Sequence, residues 1–314
     1  MRDILAGFRV SMGEKLMRFS FWPQSSQSWS DVLELARHVE STGWDGIWFA
    51  DHFMPNAQDT SAPYPECWST LAALAASVPR IRIGPLVTGN TYRHPAVLAK
   101  AAATCDHISG GRMVLGLGAG WQENEHRQYG IPFSTVGGRL SRLDEACQVI
   151  KSLFSNEATD FDGKYYQLSG AVLEPKPVQN PLPLLIGGGG EKVTLKITAK
   201  WADEWNVWGT VDTLKHKMEI LDGHCAEVGR DPGEIQRSAV ALLFMSEDQA
   251  FLERMRDSDM RQAAIVGTPE EVKEIVQAYE EAGVNELIIP DFTLGDRDRK
   301  IATLDTFITQ VAGR

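Results

Sequence analysis

The sequence is poor in the features that mark several large protein classes. Its four cysteines, Cys67, Cys105, Cys147 and Cys225, are widely spaced in 314 residues and form no C-x-x-C pair. That spacing argues against a disulfide framework or a zinc ribbon and fits reduced thiols in a cytoplasm; no metal site is expected. No apolar stretch approaches the roughly 20 residues of a membrane span. Lys and Arg form no run, and the net charge of −11 argues against a nucleic-acid surface. Met1 to Lys15 has no apolar signal core, so secretion is not expected. A clean dinucleotide fingerprint is also missing. Gly116-Leu117-Gly118-Ala119-Gly120 brings its third glycine one residue early for G-x-G-x-x-G.

What is present is a sizeable apolar fraction, 43%, arranged as strand alternating with helix. Residues 1–16 read as a leader or flexible N-terminus, and 17–314 as a single domain. Strands are expected at Arg18–Trp22, Gly46–Ala50, Ile81–Thr88, Met113–Gly118, Pro183–Ile186, Glu204–Trp208, Gln236–Met245 and Glu286–Pro290. Helices are expected between them, one capped by Ser30 and running over Asp31–Ser41. The alternation breaks at about 156–182, where Phe161–Tyr166 reads as a small hairpin before a proline-rich run. Eight strands alternating with helices predict an α/β fold, a (β/α)8 TIM barrel with a small insertion between strands four and five. A doubly wound open sheet is the second choice.

The strand ends carry the chemistry in such a barrel. The fifth strand runs into Gly187-Gly188-Gly189-Gly190 and then a helical pattern. A glycine-rich turn leading into a helix N-terminus presents backbone N–H groups to an anion, so the stretch reads as a phosphate cradle; a tight turn with no ligand is the other reading. Strand two ends in Asp51-His52. His52 is the candidate proton-handling group, with a hydrogen-bonded structural histidine as the bland alternative. Asp51 either accepts from a ring N–H or caps the next helix. Strand three ends in Thr88-Gly89-Asn90, followed by Arg93 and His94, either of which meets an anionic group or stays in a solvated loop. Gly118-Ala119-Gly120-Trp121 ends strand four, with Asn124 one helical turn on. Trp22, Trp48, Trp121, Trp205 and Trp208 offer aromatic walls, although core packing is the commoner role for each alone.

These residues carry a resemblance. Gly43-Trp44-Asp45-Gly46-Ile47-Trp48-Phe49-Ala50-Asp51-His52, Thr91–Lys100, Ile108–Trp121, Leu173–Gln179 and Ile186–Gly190 together resemble the bacterial luciferase-like monooxygenase superfamily, in its coenzyme F420-dependent oxidoreductase branch. The matching pieces lie between about residues 17 and 295. The resemblance implies a TIM barrel, a homodimer, and a deazaflavin or flavin ring at the C-terminal face. It implies a non-proline cis peptide at Leu86–Val87 pressed against the ring, with Asp51 at the ring edge and His52 assisting proton transfer. Thr88, Gly118, Asn124 and the turn Gly187 to Gly190 join Asp51, Leu86 and Val87 as cofactor-binding positions. Trp22, Trp121, Arg93 and Trp205 are expected to line the substrate pocket. The sugar-phosphate dehydrogenases of this branch have a glutamate after the strand-four glycines where this chain has Trp121, so their substrate does not carry over.

The expected function is hydride transfer between coenzyme F420 and a small organic substrate. The alternatives are a flavin mononucleotide monooxygenase using oxygen, and a cofactor-binding barrel without catalysis.

Overall fold

The computed structural model describes residues 17–314, so the expected leader at 1–16 lies outside the described residues. The barrel strands are β1 (Arg18–Trp22), β2 (Gly46–Phe49), β3 (Arg82–Pro85 and Thr88–Gly89), β4 (Leu115–Gly118), β5 (Leu184–Gly187), β6 (Glu204–Trp208), β7 (Gln236–Val240) and β8 (Glu286–Pro290). All pair in parallel. The sheet runs from the first half of β3 through β2, β1, β8, β7, β6, β5 and β4 to the second half of β3. A bridge between Ile83 and Met113 brings the two ends together, which makes this the expected α/β barrel.

Strand three was expected to be continuous. It is interrupted by a cis peptide at Leu86–Val87, so that Arg82–Pro85 pairs with β2 while Thr88–Gly89 pairs with β4. The seventh strand is shorter than the run Gln236–Met245. The chain leaves the barrel at Ala241, and Leu242–Met245 pairs instead with Ala264–Gly267, a strand too short to stand out in the sequence. Thr159–Asp162 and Gln167–Ala171 form an antiparallel hairpin between β4 and β5. The first helix is Trp29–Ser41, and its cap is Ser28 rather than Ser30; the Ser28 hydroxyl accepts the Asp31 N–H at 3.2 Å.

The interior is layered. At the N-terminal floor, Glu286 accepts from Ser20 (2.6 Å), the Trp48 indole (2.9 Å), Arg82 (2.6 Å) and Arg18 (3.2 Å). Glu204 joins through Arg82. Above it lies an apolar layer of Trp48, Val114, Leu185, Val240, Ile288 and Leu86. Every β2 residue is buried because the strand is covered on both faces, as in parallel sheets generally. A larger apolar core fills the space between barrel and helices.

Candidate active site

Above the apolar layer a cavity of about 940 Å³ is lined by the C-terminal ends of the strands. Ala50, Asp51 and His52 follow β2; Leu86 and Val87 lie within β3; Gly118 ends β4 and Ala119 to Gln122 follow it; Gly187 ends β5 and Gly188 to Gly190 follow it; Trp208 ends β6.

Val87 has its place because its neighbours lack side chains. A Cβ on Gly118 or on Gly187 would come within 2.8 Å of a Val87 methyl. Gly118 and Gly187 therefore make room for Val87, and Gly187 is less a phosphate ligand than a packing partner. The Gly188 N–H is spent on the Asn206 carbonyl at 2.9 Å, and its carbonyl accepts the Trp205 indole N–H at 2.9 Å. Among the described residues, the N–H groups of Gly189 and Gly190 have no hydrogen-bond partner within the protein. The next helix starts at Thr194, not directly after the glycines, so the turn rather than a helix end supplies the donors. Beyond it a recess of about 410 Å³ reaches Lys192 and Lys217.

Asp51 is almost fully buried, and its carboxylate takes Arg93 through two nitrogens, at 2.6 and 3.2 Å. Burial pushes the Asp51 carboxyl above its ordinary range, with Arg93 and the Thr88 hydroxyl pulling the other way. Arg93 also reaches Glu66 at 2.5 Å. It does not line the cavity, so it is not a substrate anion site: two carboxylates already hold it. Thr88 lies behind Asp51 and accepts the Trp68 indole N–H at 3.0 Å. Asn124 is likewise turned to the protein, donating to the Pro55 carbonyl at 2.9 Å and accepting from the Glu125 N–H at 2.9 Å. Trp205 is fully buried in the outer core. Strand alternation puts it on the face opposite Glu204, Asn206 and Trp208. Trp22 and Trp121 line the cavity, whereas Trp48 sits below it in the apolar layer.

The residue that sequence reasoning passed over is Glu125. It sits in the short helix Glu123–Tyr129, too short for an apolar period to show. Its side chain is buried and gathers three donors: the His52 ring at 2.8 Å, the Phe53 N–H at 2.8 Å, and the Tyr92 hydroxyl. Burial alone would raise its pKa, but these hydrogen bonds outweigh burial and hold the carboxyl below the usual glutamate range. The same hydrogen bond and burial push the Tyr92 phenol up, so it stays a donor. An ionised carboxylate only accepts, which places a proton on His52 Nδ1 and leaves Nε2 as the nitrogen free to exchange one. The only sequence signal for Glu125 was its place one turn beyond Trp121.

A model of the luciferase-like monooxygenase family matches residues 16–256. The chain belongs to that family. An F420-dependent glucose-6-phosphate dehydrogenase of Kineococcus radiotolerans is 34% identical over 70% of this chain and 65% of its own length. A 5,10-methylenetetrahydromethanopterin reductase of Archaeoglobus fulgidus is 30% identical over 82% and 74%. The chain thus spans slightly under two thirds of the first of these relatives. Among solved structures, the coenzyme F420-dependent tetrahydromethanopterin reductase of Methanopyrus kandleri superposes with a TM-score of 0.81 at 19% identity, over 95% of this chain and 99% of that one. An F420-dependent secondary alcohol dehydrogenase superposes with a TM-score of 0.82 at 22% identity, over 94% and 99%. At that identity the two structures establish the shared barrel. Among the described residues no helix is long and apolar enough to cross a membrane, and no cluster of His, Cys, Asp and Glu could hold a metal ion.

Proposed function

We propose that this luciferase-like protein is an oxidoreductase that transfers a hydride between coenzyme F420 and a small organic substrate. The observation that carries the reading is His52, held by ionised Glu125 at 2.8 Å on the wall of a large cavity that also contains the unspent N–H groups of Gly189 and Gly190. The names of the relatives above, F420-dependent in several cases, support the cofactor.

The residues fit such a cofactor. The cavity has the volume for a flat tricyclic ring, Val87 and Leu86 give it an apolar bed, and the glycine turn with Lys192 beyond it suits a phosphate-bearing side chain. Bound there, the deazaflavin would supply the hydride chemistry itself. Asp51, anchored by Arg93, would mark the ring edge. Glu125 fixes the His52 tautomer, and His52 Nε2 gives or takes the proton that accompanies the transfer. The Trp121 ring meets the His52 ring edge-on at 5.4 Å beside it on the cavity wall. The same family reading carries a homodimer, which light scattering on the purified protein checks. The four buried free cysteines support a cytoplasmic setting.

The deciding experiment is a titration with both cofactors. Coenzyme F420 is expected to bind more tightly than flavin mononucleotide, followed by absorbance and fluorescence. Tighter flavin binding, with oxygen consumption when a reductase supplies reduced flavin, would overturn the assignment in favour of a monooxygenase. Binding of coenzyme F420 without turnover on any substrate would favour a non-catalytic barrel.

A further inference from the structure

Part of the cavity wall is aromatic and carries no charge. The ring of Trp22 lies 5.7 Å from Trp208 and 5.2 Å from Phe292, and Trp208 and Phe292 are 6.5 Å apart. These three rings come from the ends of β1 and β6 and from the turn after β8. Trp208 and Phe292 remain 37% and 43% exposed and both line the cavity, so the wall offers apolar ring surface to what enters it. The Trp22 indole nitrogen is buried with no hydrogen-bond partner, although its ring forms part of the wall.

The ionisable acidic and basic side chains on the cavity wall, among the described residues, are Asp51, His52 and Arg139. Asp51 is matched by Arg93. Arg139 donates to the Gly120 carbonyl at 3.1 Å and to the Ser134 carbonyl, with its guanidinium 3.9 Å from the centre of the Phe133 ring. It is committed to the protein. Lys192 and Lys217 sit in the recess past the glycine turn, where the cofactor reading uses Lys192 and Glu191 already holds Lys217. A phosphate or carboxylate placed against the aromatic wall would shed its water and meet no free cation there.

The geometry points to a substrate that is neutral and largely apolar: a hydrocarbon skeleton, cyclic or branched, bearing one alcohol or ketone oxygen. Its body lies on Trp22, Trp208 and Phe292, its oxygen reaches toward His52, and phosphorylated or carboxylated compounds are rejected. This rests on the oxidoreductase reading, but it concerns a different wall.

The test is equilibrium binding by calorimetry, on protein loaded with coenzyme F420 and on cofactor-free protein. The probes are cyclohexanone, cyclohexanecarboxylate and glucose 6-phosphate. Cyclohexanone is expected to bind at least about tenfold more tightly than its carboxylate counterpart, with glucose 6-phosphate failing to saturate. Trp208→Ala should weaken cyclohexanone about tenfold or more while cofactor affinity stays within about twofold. Phe292→Ala, on a separate turn, repeats the measurement should Trp208→Ala fail to fold. Equal or tighter binding of either anion by the loaded protein, whose glycine turn is occupied, overturns the proposal. So does cyclohexanone binding that both ring deletions leave unchanged, or no saturable cyclohexanone binding at all. Failure of coenzyme F420 to load would sink the cofactor reading alone, since the cofactor-free arm still scores the wall.

Discussion

The two ends of the barrel bury carboxylates and use them differently. At the floor, Glu286 faces two guanidinium groups, a hydroxyl and an indole N–H. Burial opposes its charge, but Arg82 and Arg18 outweigh burial and hold its carboxyl below the usual range; neighbouring Glu204 is pushed up by burial and by Glu286 itself. No partner of Glu286 titrates near neutrality, so the floor is electrostatically fixed. At the cavity end, Glu125 faces an imidazole, a phenol and a backbone N–H. One of those partners is a histidine, whose second ring nitrogen the carboxylate does not engage. The same residue type therefore serves as a rivet at one end and as an orienting base at the other. The difference lies in whether its partners are guanidinium groups or a histidine.

The sharpest way to break this comparison is to remove that histidine. His52→Ala should lower turnover by roughly 100- to 10,000-fold, the range for a lost positioned proton donor or acceptor, with cofactor affinity nearly unchanged. Loss of cofactor binding with unchanged turnover per bound cofactor would make His52 a clamp instead. Next in size is the floor. Glu286→Ala leaves Arg18 and Arg82 buried with less compensation and should cost about 3–5 kcal/mol of stability in denaturant unfolding. Turnover per folded molecule should hold; a parallel loss of turnover would show that the two ends are coupled.

Glu125→Gln tests both halves of the contrast. The amide presents an N–H where His52 Nδ1 needs an acceptor, which favours the wrong tautomer, and turnover should fall on the order of 100-fold. It should also cost about 1.5–3 kcal/mol at neutral pH, the scale of hydrogen bonds to a charged group. Because Glu125 has a folded pKa below its unfolded one, its contribution is fully present above the unfolded value and is lost as pH falls through the folded one. The stability gap between the two proteins should thus close on acidification. A gap that persists unchanged down to the folded protein's acid limit would mean that the charge is not what Glu125 contributes. Asp51 has the opposite sign: its raised pKa makes protonation favour the fold as pH drops through the window between its unfolded and folded values.

Much of the architecture was legible because parallel strands buried on both faces are written as compact apolar runs, such as Gly46–Phe49 and Glu286–Pro290. Asp51-His52 and the four glycines could be placed on the cavity wall because strand ends stand out where such runs stop. Side-chain direction was harder to read. Trp205 shares β6 with Trp208 but is its second residue, near the floor, and alternation turns it into the outer core. Arg93 and Asn124 lie at the right place in the chain but are consumed by Asp51, Glu66 and Pro55, partners far away in sequence. Glu125 escaped for the same reason: its role depends on contacts with His52 and Tyr92, which only the closed barrel creates.

The smallest expected effect concerns the glycine turn, and it sharpens what kind of site the cavity end is. If Gly189 and Gly190 offer N–H groups to a phosphate, disturbing the turn should weaken cofactor binding while turnover per bound cofactor is preserved. A Cβ on Gly189, however, would point at the protein, 2.9 Å from a Val207 methyl, rather than into open space. Gly189→Ala should therefore act by pushing the turn, and weaken coenzyme F420 binding about tenfold, or about 1.4 kcal/mol. Val207→Ala removes the methyl that the new side chain meets. The double variant should recover most of the lost affinity, because the turn can then return to its place with its N–H groups still aimed at the ligand. Full affinity in Gly189→Ala alone would move the phosphate site elsewhere. A loss that Val207→Ala does not relieve would show that the ligand meets the Gly189 position directly, and the turn would then be a close-contact surface, not only a row of donors.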